Sequence, residues 1–359
     1  LDITVIISET RVSHDVDNGI HTEEQGMTIA ERYTAWFPDN PVMRAERTYQ
    51  ERSTARRSRR WRRGLARLAK TLLVGMALGM TSAGLLGSLL GIDITDSVNA
   101  ASSWLSLFAI FVITYHFGVM VNTLSLGANS IAREKQAQTW DMLVLTGIDA
   151  RQIVRGKWSA TVRRQLPAYL LLAVMRIGAI VLYATIVNSM FSFTVGYGGE
   201  RLTYLPHPLH YALLAGLVTL LTLANLAFTA ACGVWASAVA HRAGLAQARA
   251  IGTRIVLLLV PSFIVLFFVS RFLGYNASTG VIYDLLLGTA MTLADNGATA
   301  AANLVVVRYG WEGTPPSPIN VGLVLAVTLA ALGIYALWTA LALRRAQTLA
   351  VKHLATPPE

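Results

Sequence analysis

Six stretches of mostly apolar residues divide this chain, at about 71–92, 103–128, 167–188, 210–238, 253–273 and 320–343. An α-helix needs about 20 such residues to cross roughly 30 Å of hydrocarbon. Backbone polar groups in lipid must be satisfied within their own segment, so each stretch is expected to be a helix. The composition agrees. Of 359 residues, 54% are hydrophobic and 14% are charged, whereas soluble domains carry about 25% charged residues. That excludes an ordinary cytosolic enzyme and a disordered chain. The lone Cys232 excludes an internal disulfide and a cysteine-based zinc site.

The connections alternate in charge. Residues 1–43 form an acidic arm with eight acids and two bases, and 44–70 form a basic segment with eleven bases and two acids. This basic run lies about fifty residues in and meets a full-length apolar stretch, so no cleaved signal peptide is expected. Residues 93–102 hold no base, 129–166 hold seven, and 189–209 hold only Arg201. Residues 239–252 carry Arg242 and Arg249, with Arg254 at the next helix start. Residues 274–319 hold only Arg308, and the tail at 346–359 carries Lys352 just after Arg344 and Arg345. Loops rich in Lys and Arg stay in the cytoplasm. The expectation is an all-α, six-span protein of the cell (inner, cytoplasmic) membrane with both termini cytoplasmic. The run at 56–70 is expected to lie on anionic lipid headgroups. No nucleic-acid reader motif accompanies it.

Two connections are more than linkers. Between the fifth and sixth spans, 281–294 and 297–307 are apolar but too short to cross, and are expected to form re-entrant or interfacial helices. After the second span, 130–160 reads SIAREKQAQTWDMLVLTGIDARQIVRGKWSA. Ile131 to Leu145 fits a helix broken by Thr146-Gly147. Asp149 fits the cap of a second, short helix with Ile153 and Trp158 packing down and Arg151, Arg155 and Lys157 facing out. Pro167 would then open the third span in its first turn.

This segment resembles the signature region of ABC-2 type transporter permeases. The resemblance rests on Ile131, Glu134, Lys135, Thr139, Trp140, Asp141, Leu143 and Thr146, followed by Ile153, Val154, Gly156 and Lys157. Asn40-Pro41-Val42 ahead of an Arg-rich run adds to it, although Ala45-Glu46 stands where a Glu-Leu-Arg pattern is common in the family. The resemblance implies a six-span permease domain over 71–345 that pairs with a second permease copy or homologue. It implies cytosolic ABC ATPase subunits docked on a coupling-type loop at 129–166, where Glu134, Lys135, Thr139, Trp140 and Asp141 would face the ATPase or form the joint. ATP and Mg would enter only through that partner. This chain has no phosphate loop of its own, because Gly156-Lys157 lacks the upstream glycine. The rival expectation is a non-transporting subunit of the same fold, scaffolding other integral membrane subunits of a larger, for example energy-converting, complex.

Other polar and small residues inside the spans carry less specific signals. Arg176 and His116 interrupt apolar stretches, where ionisable groups are costly. Arg176 would either pair with a neighbouring helix or lipid headgroup, or line a path for an anionic substrate; His116 would be a satisfied core histidine. Gly75 and Gly79, and Gly87 and Gly91, are GxxxG pairs that permit close helix packing, within the chain or at a subunit interface. Tyr211 and other aromatics near the outer boundaries read as an interfacial belt. No catalytic, cofactor or metal constellation converges, so no enzyme activity is expected in this chain.

Overall fold

A computed structural model describes residues 42–49, 68–69, 71–79, 81–82, 102–139, 148, 150–192, 207–240, 242–272, 280–305 and 321–355. These belong to one compact unit, Asn40–Glu359. The expectations on the 1–39 arm, the 56–67 run, Gly87, Gly91, Trp140 and Asp141 fall outside the described residues.

The described residues are all-helical, with no strand among them. Two short pieces come first, α1 at 42–49 and α2 at 71–79. The larger helices are α3 (Ser102–Gln136), α4 (Ala150–Ser192), α5 (Pro208–Val239), α6 (Ala243–Phe272), α7 (Gly280–Ala294), α8 (Ala298–Ala302) and α9 (Val321–Ala355). Four of them, α3, α4, α5 and α9, are long and apolar enough to cross a membrane by length and composition. The fifth expected span, about 253–273, falls within α6 as far as Phe272.

α5 is the hub, in contact with α3, α4, α6, α8 and α9. It contains no Asp, Glu, Lys or Arg. From Tyr211 to Asn225 its buried residues follow one helical face, with Leu220 52% exposed, and from Phe228 to Ala238 they run around nearly the whole cylinder. A helix that is apolar all round belongs in a core or a membrane. Tyr211, expected in an interfacial belt, is instead 8% exposed and packs with Leu214, Val218 and Val305.

Glycines set the closest crossings. A Cβ on Gly127 of α3 would lie 3.0 Å from the Cα of Gly233 in α5. A Cβ on Gly178 of α4 would lie 2.8 Å from the carbonyl oxygen of Ala77 in α2. Gly75 and Gly79 face open space. Ala77, the residue between them, is fully buried and makes the approach. The tight contact of α2 within the chain is therefore at Ala77 and Gly178, not at the GxxxG pair.

The loop after α3 departs from expectation in two ways. α3 stops at Gln136 rather than Leu145. Gln138 takes φ 54°. The amide of Thr139 donates to the Glu134 carbonyl at 3.0 Å, and that of Gln138 to the Lys135 carbonyl at 3.2 Å. This is the Schellman pattern that closes a helix on a left-handed residue. The second helix is not short either, for α4 runs unbroken from Ala150 to Ser192 with Pro167 inside it. The expected interfacial helix is the first part of a long one.

Replacing Gly178 by Leu should drive a side chain into the α2 backbone and lower stability by about 1–3 kcal/mol. Gly75→Leu should stay within about 0.5 kcal/mol of the parent, as for substitutions on open surface. Thermal unfolding of the two variants, purified in detergent, checks the contrast.

Candidate functional site

Two polar clusters lie on the α3–α5 axis. The first joins α1, the end of α3 and the start of α4. In α1, Val42, Met43 and Glu46 are buried, a spacing that puts them on one helical face. In α4, Ile153, Val154, Lys157, Ala160 and Thr161 share a face in the same way and are buried together. Lys157 was expected to face out with Arg151 and Arg155. Those two are exposed, but Lys157 sits on the Ile153 face and is 1% exposed.

Its ammonium donates to Glu134 Oε1 at 2.5 Å, to Glu46 Oε2 at 3.2 Å and to the Ser130 carbonyl at 3.0 Å. Arg133 also reaches Glu46 Oε2, at 3.3 Å, and lies over the Tyr49 ring at 3.6 Å. Two cations thus balance two carboxylates. Lys135 turns the other way and donates to the Ala238 carbonyl at 2.6 Å, capping the end of α5. Ser237 Oγ accepts from the Ile131 and Ala132 amides at 2.9 and 2.8 Å. An apolar layer of Val42, Ile131, Ile153, Val154, Val234, Ala238, Ala346 and Ala350 surrounds the ions. Thr139 is exposed beside them, its hydroxyl on the Glu134 carbonyl at 3.3 Å.

The second cluster centres on the turn between α7 and α8. Asp295 Oδ1 accepts from the Gly297 and Ala298 amides, capping α8. Asn296 and Gly297 take φ 58° and 90°, which sends the chain back. Arg176, buried in α4, donates to the Asp295 and Asn296 carbonyls at 2.8 Å each and to Thr222 Oγ1 at 3.1 Å. Tyr335 of α9 donates to Asn296 Oδ1 at 3.2 Å. Arg176 thus pairs with a neighbouring element, satisfying carbonyls at a helix end, and it also lines a cavity beside that turn.

His116 meets Asn225 of α5, whose Nδ2 lies 3.3 Å from the ring Nε2. Asn225 Oδ1 accepts in turn from Arg254 of α6 and from Thr229. The sequence reading placed Arg254 at the start of a span with the loop charges. α6 actually begins at Ala243, so Arg254 lies about 17 Å along it. The side chain is 1% exposed, with its guanidinium 4.4 Å from the Phe228 ring. Arg254, Asn225, Asn296 and Tyr335 were all missed. Only Asn225 left a trace in the sequence, as an amide in a charge-free apolar stretch.

A cavity of about 540 Å³ opens among these groups, lined by Arg176, Arg254, His116, Asn225, Asp295, Asn296 and Tyr335 on its polar side. Among the described residues, no group of three His, Cys, Asp or Glu could hold a metal ion. No protein-family model matches the chain, and no curated protein matches it.

Lys157→Met should leave Glu46 and Glu134 buried without their shared cation, a loss of about 3–5 kcal/mol. Adding Glu46→Gln and Glu134→Gln should recover most of it, and denaturant unfolding of the variants reads both changes. Arg176→Met should orphan the Asp295 and Asn296 carbonyls. Amide exchange over 293–302 should then accelerate while exchange over 225–239 holds.

Proposed function

We propose that this chain is the membrane-spanning permease subunit of an ABC-2 type transporter, exporting its substrate with ATP hydrolysed, with Mg, by separate ATPase subunits. The observation that carries this reading is the way the two halves of the 131–157 motif meet. Ile131 and Glu134 from the first half close on Ile153, Val154 and Lys157 from the second, with Glu46 of α1 beneath them. Residues matched only by sequence pattern thus form one buried joint at a single end of the bundle. The same end carries the exposed Arg151 and Arg155 and the Ala346–Ala350 end of α9. Its basic character makes it the cytoplasmic end, with six spans, both termini inside, and α7–α8 as a re-entrant hairpin from the far side.

In this reading the ATPase docks beside Thr139, where the Schellman turn leaves the chain exposed, and a second permease copy or homologue completes the pathway. Glu134 and Lys135 hold the joint from within, and the resemblance assigns Trp140 and Asp141 to the ATPase-facing positions.

The test is extraction from native membranes in mild detergent, with every co-purifying chain identified by mass spectrometry. A stoichiometric ATPase bearing a phosphate loop is the expected outcome. Thr139→Arg should abolish its recovery while leaving the melting temperature of the permease unchanged. Recovery of unrelated integral subunits without any ATPase would replace this reading with the scaffold one.

A further inference from the structure

The cavity beside α3 and α6 has an imbalance that the fold does not use. Arg254 Nε and Nη1 and Asn296 Nδ2 are buried without a hydrogen-bond partner among the described residues. All are donors. Arg254 is 1% and Asn296 3% exposed, so water in bulk does not serve them, and an unpaired buried charge is strongly unfavourable. Three side-chain acceptors in the wall are already engaged, and the Asp295 carboxylate offsets one of its two guanidinium charges. Asp295 Oδ1 caps α8, Asn225 Oδ1 takes Arg254 Nη2 and Thr229, and Asn296 Oδ1 takes Tyr335. Arg176 brings a second guanidinium to the same wall.

The remaining lining is apolar and leads outward. Ile113 and Phe117 of α3 and Ile255 of α6 line the cavity, yet they are 56%, 59% and 45% exposed. Among the described residues the mouth therefore opens sideways between α3 and α6, on the apolar perimeter.

We propose that this cavity binds the anionic head group, a carboxylate or phosphate, of a single membrane amphiphile that enters laterally. Arg254 and Asn296 take the oxyanion, and the chain of the amphiphile lies along Ile113, Phe117 and Ile255. A guanidinium can pair bidentately with either head group. The proposal stands apart from the permease reading, since it needs no ATPase.

The full chain, purified in mild detergent and delipidated, is titrated with phosphatidylglycerol, oleate, phosphatidylcholine or inorganic phosphate, and bound species are counted by native mass spectrometry. One phosphatidylglycerol or oleate per chain should bind about tenfold more tightly than phosphatidylcholine, and Arg254→Gln should remove that preference. Lipid held elsewhere by surface bases is insensitive to Arg254→Gln, so the difference between variants reads the cavity alone. Equal binding of phosphatidylglycerol and phosphatidylcholine would overturn the proposal, as would a preference unchanged in Arg254→Gln. Displacement of phosphatidylglycerol by inorganic phosphate alone would identify a free anion as the ligand and overturn the amphiphile. Where Arg254→Gln does not fold, Ile113→Trp decides by filling the mouth. It should lose the single bound amphiphile, and full retention would overturn the proposal.

Discussion

The contact between Gly127 and Gly233 holds the two polar clusters in place. With no side chain on either helix, α3 and α5 touch backbone to backbone. The crossing sets the register of everything above and below. Seven residues past Gly127, Glu134 meets Lys157, and eleven residues before it His116 meets Asn225. Ser237 and Ala238, just past Gly233, take the α3 amides and the Lys135 ammonium. The pairings run in the same order along both helices, so α3 and α5 are parallel, with α4 returning between them. One methyl group at the crossing would separate both clusters at once.

The clusters solve the problem of buried charge differently. Around Lys157 the ions cancel, two cations to two carboxylates, and the backbone carbonyl of Ser130 takes a further donor. Such a set adds little net stability but is costly to break, so it fixes the mutual position of α1, α3 and α4. Around Arg176 and Arg254, two cations face the single carboxylate of Asp295 among the described residues. Arg176 is satisfied by carbonyls at the α7–α8 turn, and Arg254 by one amide oxygen and an aromatic face. The first cluster balances its charges and leaves one oxygen, Glu134 Oε2, without a hydrogen bond among the described residues, whereas the second has donors left over.

Much of the helical skeleton was legible in the sequence, because apolar stretches of spanning length admit little else. The expected stretches at 103–128, 167–188 and 210–238 fall within helices, and that at 320–343 does so from Val321 on. What the pattern concealed was where polar side chains belong. Lys157 was read as exposed because it is a lysine, although its spacing from Ile153 and Val154 places it on their buried face. Arg254 falls at the start of its expected span because α6 begins ten residues before that apolar stretch. The stop at Gln136 was invisible because a glutamine, not a glycine, takes the left-handed cap. For the two cations, distant partners overrode a local preference: Glu46, more than a hundred residues away along the chain, holds Lys157 together with Glu134 and Ser130, and Asn225 and Phe228 hold Arg254.

The continuity of α4 bears on how the two clusters communicate. A separate coupling helix, as the loop pattern suggested, would pass motion on through a hinge. α4 instead carries Lys157 and Arg176 on one unbroken helix, about 28 Å apart along its axis. α3 does the same with Glu134 and His116, over about 27 Å. Both helices are fastened at one end by ions and at the other by the α7–α8 turn and Asn225, and Gly127 lets α3 pivot on α5 without a side chain in the way. A force applied at the Lys157 end, such as the proposed ATPase would exert, would reach the walls of the cavity as a tilt of α3 against α4, with Pro167 removing a backbone hydrogen bond from α4 along the way. The α7–α8 turn, held by hydrogen bonds to Arg176 and Tyr335, would move with that tilt.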